Sequence, residues 1–595
     1  MRVILFILKC FVGLLASVGL VVVLLMVGLG FLASQFEPLQ KVEEPVPENT
    51  VLTLDLRGGV VEALPDNPVS KASLTDRLVI RESLAALDRA AEDPKVKGMV
   101  ARLGQGRFGL AQIQEVRDAV KRFRDKGKFT VAFAETFGEG GNGTLHYYMA
   151  SAFETVWLQP SGDLDLTGLL LESPFLRGAL DEIGVEPQLA QREEYKGAMN
   201  MFTDTALPTP QRENLTQLVE SWVGQIATGV GAQRGLDAAK VRDLINQGPY
   251  DAADAQSAGL IDQLGYWDQV HDDVLTQGGP DAEFLALNVY ANRLDERTPD
   301  GPTVALIYGL GPVELSDGQN DPAFGNVKMG ANHVSEAIAD ALLDRDVKAI
   351  LFRVDSPGGS YVASDVIWRQ VQKARDSGVP VVVSMGDVAA SGGYFVAAPA
   401  EKIVAQPATV TGSIGVVAGK LVFTGLWDKL EIHWDGVQAG DNAALWSANH
   451  SFTPADWARL NKSLDRTYLD FTTKVADGRG MTMDEVKKAA KGQVWTGQDA
   501  LALGLVDELG GFHRAVEVAG ELAGAKPDET VELRRFPAER DPFEAVFQDL
   551  LGNWVSAPTL AKLARTLGPL IALAERLEGN AQGQSMRAPE LLLAQ

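Results

Sequence analysis

Blocks of similar sequence recur, in the same order, in the two halves of this 595-residue chain. A strand pattern over residues 51–56 that ends at Gly58-Gly59 is matched by one over residues 303–308, followed by Gly309 and Gly311. Residues 93–102 resemble residues 345–353, and Tyr147 and Gln159-Pro160 recur 247 positions on as Tyr394 and Gln406-Pro407. Residues 259–265 recur as residues 504–510. Ordered matches at one spacing are the mark of duplicated structural units, and the length exceeds what one hydrophobic core organises. Strand patterns at 379–385 and 402–404 alternate with a helical pattern at 362–377, as βα units with a largely parallel sheet require. The expected organisation is two homologous α/β domains, residues 51–298 and 299–535.

Residues 11–33 are uncharged and rich in Val, Leu and Gly, with Arg2 and Lys9 before them and Glu37, Glu43 and Glu44 after. At 1.5 Å per residue such a run crosses a bilayer core of about 30 Å. The charge asymmetry keeps the N-terminus cytoplasmic and translocates the rest. A cleaved signal peptide has a shorter apolar region and an A-x-A-like site, which Ala33-Ser34-Gln35 matches poorly, so an uncleaved single-pass anchor within residues 1–35 is expected. Residues 36–50, with Pro38, Pro45 and Pro47, read as an extended linker. Cys10 is the single cysteine, so the remainder forms no internal disulfide. A net charge of −25 argues against nucleic acid as a partner. Residues 536–595 show helical apolar spacing at 543–554 and 560–577, and a helical tail is expected there.

Three turns of small residues follow strand patterns in the second half: Asp355-Ser356-Pro357-Gly358-Gly359-Ser360, Ala389-Ala390-Ser391-Gly392-Gly393-Tyr394 and Thr411-Gly412-Ser413-Ile414-Gly415. Turns at the C-terminal ends of parallel strands are where such folds place their sites. Gly358 and Gly359 can present backbone N–H groups to a developing oxyanion. The first half has Thr144 opposite Ser391 and Leu166 opposite Ser413, so it lacks this equipment. Conversely Lys196, in Arg192-Glu193-Glu194-Tyr195-Lys196-Gly197, stands opposite Ala443. One half offers a nucleophile and the other a base. The six histidines are scattered; His433, 20 residues beyond Ser413, is the one near a candidate serine in sequence. No HExxH, CxxC or Walker sequence is present, so no metal or nucleotide cofactor is expected. A lysine serves as base once burial lowers its pKa from about 10.4 toward 7.

These motifs, DSPGGS, AASGGYF and TGSIGV in one half with EYKGAMN in the other, resemble the long, two-domain form of the signal peptide peptidase A family. The resemblance runs from the anchor to about residue 530. It implies two tandem crotonase/Clp-protease-like domains, with Ser413 as nucleophile, Lys196 as general base and the backbone at Gly358 and Gly359 as oxyanion hole. It further implies a homotetramer in the bacterial inner membrane, its catalytic domains periplasmic, that degrades remnant signal peptides. Ser391 is the alternative nucleophile, because in the related Clp protease subunit the serine occupies the turn matching residues 389–394. The partner there is a histidine, and none follows at a comparable place here. Two other readings stay open: an acyl-CoA enzyme that uses the oxyanion turn and a carboxylate such as Asp387, and a non-catalytic membrane scaffold.

Overall fold

A computed structural model describes residues 45–65, 74, 77–104, 106–294, 299–321, 326–527, 529–538, 585–587 and 592–593. The expected anchor at 11–33 and the helical patterns at 543–554 and 560–577 lie outside the described residues. Among the described residues no helix is long and apolar enough to cross a membrane. The chain divides into two compact units, Met1–Pro47 and Glu48–Gln595, and both halves of the repeat lie in the second.

The first half contributes strands β1 (Thr50–Asp55), β2 (Val96–Leu103), β3 (Phe129–Ala134), β4 (Thr155–Leu158), β5 (Glu186–Arg192), β6 (Gln263–Leu264) and β7 (Glu283–Ala286). All but β5 form one parallel sheet in the order β6-β4-β3-β2-β1-β7. The second half contributes β8 (Thr303–Leu310), β9 (Val347–Ser356), β10 (Gly358–Ser360), β11 (Val381–Ala390), β12 (Lys402–Ala405), β13 (Val410–Gly412), β14 (Val416–Val422), β15 (Glu508–Leu509) and β16 (Glu532–Arg535). Six of these repeat the same parallel order, β15-β12-β11-β9-β8-β16. Side-chain bonds repeat as well: the Tyr147 hydroxyl donates to the Leu260 carbonyl as Tyr394 does to Leu505, and Asp262 accepts the Val156 N–H as Asp507 accepts that of Ile403.

The central strands read as continuous apolar runs because both of their faces are covered; Ala349, Ile350, Leu351 and Phe352 of β9 are fully buried. Five helices matter to the site: α1 (Leu110–Asp125), α2 (Thr209–Arg234), α3 (Tyr361–Asp376), α4 (Gly392–Ala397) and α5 (Pro454–Arg479). Helix α3 starts where the Ser360 hydroxyl accepts the Ala363 N–H, and it buries Ala363, Ile367, Val371 and Ala374, spaced three and four apart, against the second sheet. A capping box at Thr453 and Asp456 opens α5, and Gly480 in the left-handed conformation closes it.

The halves are held together by two devices. Strand β5 leaves its own half and pairs antiparallel with β14 along its whole length, from Arg192 opposite Val416 to Glu186 opposite Val422. The second device is ionic. Arg353 of β9, fully buried, donates to Glu62 and Glu115 of the first half at 2.8–3.3 Å and to the Ser384 hydroxyl and Met385 carbonyl. Beside it Asp387 accepts the N–H groups of Ala111 and Gln112, at the start of α1. Asp387 is thus a docking residue, which removes it from the role that an acyl-CoA reading would give it.

The described part of the C-terminal tail is extended, whereas the periodicity of residues 536–595 suggests helices. Strand β17 (Ser585–Arg587) pairs with β10 and β14, and Leu592–Leu593 pairs with Leu171–Glu172. Unpaired strand edges satisfy these short segments, which are too brief for helical hydrogen bonding to compete.

Replacing Arg353 with Ala leaves Glu62 and Glu115 buried without their cation. A loss of about 3–5 kcal/mol is expected, to be read as a lower denaturant midpoint for the unit.

Candidate active site

The chain beyond β5 carries Lys196 into the second half. Arg192 fixes the exit, its guanidinium bonded to Asp465 at 2.6 Å and to Asn461 of α5. The Tyr195 N–H donates to the Lys491 carbonyl, and the Lys491 amine pairs with Glu194 at 3.0 Å. Gly492 lies flat against the Lys196 backbone; a Cβ there would come within 2.5 Å of the Lys196 nitrogen, and its φ of +79° suits glycine alone.

The Lys196 side chain is fully buried. Its amine lies 2.8 Å from the Ser391 hydroxyl and 2.9 Å from the Ser413 hydroxyl, and donates to the Ser413 carbonyl at 2.7 Å. Burial, with no carboxylate beside the amine to oppose it, holds its pKa well below the ordinary lysine value. A neutral amine has two N–H donors and one lone pair, which three neighbours satisfy completely: two oxygens accept from it, and the remaining hydroxyl donates to it.

Sequence reasoning placed the nucleophile at Ser413, and the structure brings both serines to the lysine at nearly equal distance. Their surroundings differ. Ser413 turns two atoms, its carbonyl and its hydroxyl, toward Lys196, and its N–H donates to the Gln493 carbonyl at 2.7 Å. Ser391 stands on the sharp turn from central strand β11 into α4, with φ 56° and ψ −116°, and its N–H donates to the Gly412 carbonyl. A strained serine between strand and helix is the arrangement that exposes a nucleophilic hydroxyl.

The glycine turn of residues 355–360 packs against the residue that follows Ser391. A Cβ on Gly392 would lie 3.1 Å from the Gly359 nitrogen and 3.2 Å from the Gly358 Cα, so the space between the two turns exists because 392 is glycine. Gly358 and Gly359 adopt φ 98° and 158°. The Gly358 N–H donates to the Ser356 hydroxyl at 3.2 Å, so Gly359 is the member of the pair whose N–H is aimed at that space. Gly392, in the first turn of α4, is a second donor there that the sequence reading missed. Its position immediately after a serine was the available signal.

His433 lies in an exposed stretch. Asp355, just before the glycine turn, accepts the Val388 N–H and is pushed up to about 7 by burial and by the nearby Glu62. No cluster of His, Cys, Asp and Glu able to hold a metal ion occurs among the described residues. At the ends of β1 and β2, where the first half has its counterpart of the glycine turn, a cavity of about 1290 Å³ contains Arg57 and Arg102. Those arginines are paired with Asp55 and Glu135, and no lysine–serine contact is formed there.

A buried lysine amine set against serine hydroxyls on a duplicated α/β frame is the equipment of a serine hydrolase. The model of Peptidase family S49 matches residues 122–277 and 373–526, more than half of the chain. Protease 4 of Salmonella typhi is 33% identical over 517 residues, covering 84% of this chain and 81% of its own length. Protease 4 of Haemophilus influenzae is 30% identical over 468 residues, covering 75% and 73%. The chloroplastic serine protease SPPA of Arabidopsis thaliana is 29% identical over 497 residues, covering 82% and 71%. The chain belongs to peptidase family S49, as the motifs suggested: it is a serine protease with two tandem family domains.

Lys196 is held at a cost. With its folded pKa depressed, the unfolded chain binds the extra proton between that value and about 10.4. Stability therefore rises with pH across this window. Lys196→Met should raise the unfolding midpoint at pH 7, by an amount that shrinks as pH approaches 10.

Proposed function

We propose that the protein hydrolyses extended peptides through Ser391 as nucleophile, with Lys196 as general base and Ser413 as the group that orients the lysine. The observation that carries this reading is the fully buried Lys196 amine, 2.8 Å from the hydroxyl of a serine at a strained strand-to-helix turn. The assignment moves the nucleophile from Ser413, where the sequence put it, to Ser391. Two contacts from Ser413 hold the amine in place, while Ser391 alone adjoins the glycine turn.

In this reading the neutral amine takes the proton from Ser391 as its oxygen attacks the substrate carbonyl. The developing oxyanion is received by the Gly359 and Gly392 N–H groups, with Gly358 shaping the turn. Lys196, now charged, returns the proton to the leaving amine. Water then hydrolyses the acyl-enzyme by the same route, the proton passing to Lys196 and back to Ser391. No cofactor is required.

The relatives named Protease 4 and SPPA support a proteolytic role, and one relative carries the name "Putative signal peptide peptidase SppA". We infer remnant signal peptides as substrates. The apolar segment at 11–33 would hold the enzyme in the inner membrane, catalytic domains on the periplasmic side, where such peptides are released. A homotetramer is part of the same reading. Residues 433–439 stand at the repeat spacing from β5, yet Trp434 and Val437 are exposed there. They offer a neighbouring copy the kind of edge that β5 offers β14.

Ser391→Ala and Lys196→Ala should each lower kcat/KM for an extended peptide by about 10⁴-fold or more; full turnover by Ser391→Ala would remove the mechanism. Ser413→Ala should retain measurable turnover with a displaced pH profile. In the wild type, kcat/KM should rise with pH through the depressed Lys196 pKa, since only the neutral amine accepts a proton. Trp434→Ser with Val437→Asp should reduce the assembled mass measured by light scattering.

A further inference from the structure

The sheet beside the active site is continuous only through the C-terminal tail. Its order is Gln319–Asp321, Asn326–Gly330, Val313–Glu314, β10, β17, β14, β5. Strand β17 lies between β10 and β14 and runs antiparallel to both, with Gly358 opposite Arg587, Gly359 opposite Met586, Ser360 opposite Ser585, and Val417 also opposite Ser585. Adjacent strands are about 4.8 Å apart, so β10 and β14 are separated by the width of one extended chain.

Both walls of this slot belong to the catalytic apparatus. Strand β10 is the glycine turn itself, whose Gly358–Gly359 end meets Gly392, next to Ser391. Strand β14 begins three residues after Ser413. Antiparallel register makes the tail travel toward that end: Ser585 is opposite Val417, and two residues further on Arg587 falls opposite Gly415. A chain laid in this direction brings its residues up to the nucleophile from the N-terminal side, as an acyl-donating peptide must. Past this point Leu592–Leu593 pairs with Leu171–Glu172 of the first half, so the tail is held on either side of residues 588–591.

We propose that residues 585–587 are a resident strand in the substrate slot, an intramolecular competitor that must withdraw before a peptide can bind. This rests on reading the slot as the substrate site of a peptidase. Strand addition supplies main-chain hydrogen bonds of little sequence preference, which suits both a tail and varied peptides. Tethering gives the tail an effective concentration on the order of 1 mM. A segment that binds in trans with a Kd of about 0.1 mM would then occupy the slot some 90% of the time and weaken any incoming peptide by about tenfold.

The test uses the full chain carrying Ser391→Ala, so that nothing is cleaved, with and without the triple substitution Ser585→Pro, Met586→Pro, Arg587→Pro. Proline removes the N–H groups on which strand pairing depends. The probe is a fluorescein-labelled peptide of residues 580–592, its binding followed by anisotropy, with the unfolding midpoint measured to show that both chains are folded. The expected result is binding about tenfold tighter or more to the proline chain, displaced by unlabelled peptide. Equal affinity for the two chains, or no binding to either, overturns the proposal. Turnover by the parent chain with Ser391 intact reports separately on the peptidase reading, since the affinity measurement involves no chemistry.

Discussion

The structure depends on a lysine amine taken out of water. A charged ammonium in such a place would need a carboxylate, and none contacts Lys196; the solution is a neutral amine whose two protons and lone pair all find oxygen partners on Ser391 and Ser413. Neutrality is also what a general base requires. The energy that expels the proton is supplied by the docking of two large surfaces, so catalytic competence and interdomain packing are one problem. The antiparallel β5–β14 ladder delivers the lysine, and the Arg353–Glu62–Glu115 cluster keeps the surfaces in register.

Duplication explains why the site can be divided. Both halves retain the sheet order and the tyrosine and aspartate bonds that close each copy. They diverge where the copies touch. In the first half Thr144 replaces the serine of the strand-to-helix turn, and its hydroxyl accepts the N–H groups of Thr167 and Gly168, a purely structural use. In the second half the residues at the spacing of Lys196 lie in an exposed stretch around Ala443. Each copy has given up one component, and the docked pair has a single complete set.

Much of this was legible in the sequence because it rests on local pattern. The repeat spacing gave two α/β units, apolar runs gave the central strands, and the mismatch between Lys196 and Ala443 located the base. The choice between Ser391 and Ser413 was not legible. Both are serines beside glycine after a strand, 22 residues apart, and both reach the lysine. What separates them is backbone conformation and the approach of Gly392 to Gly359, a contact between turns more than 30 residues apart. The tail failed for a related reason: helical periodicity at 543–577 says nothing of where residues 585–587 find a strand edge, since that edge is made by distant parts of the chain.

The central claim is that Ser391, and not Ser413, carries the reactive hydroxyl activated by Lys196. The most direct measurement is mapping of the covalent adduct formed by a fluorophosphonate, by mass spectrometry of the digested, labelled protein. An adduct on the peptide containing Ser391, lost when Lys196 is replaced, is the predicted result. An adduct on Ser413 with Ser391 unmodified would contradict it.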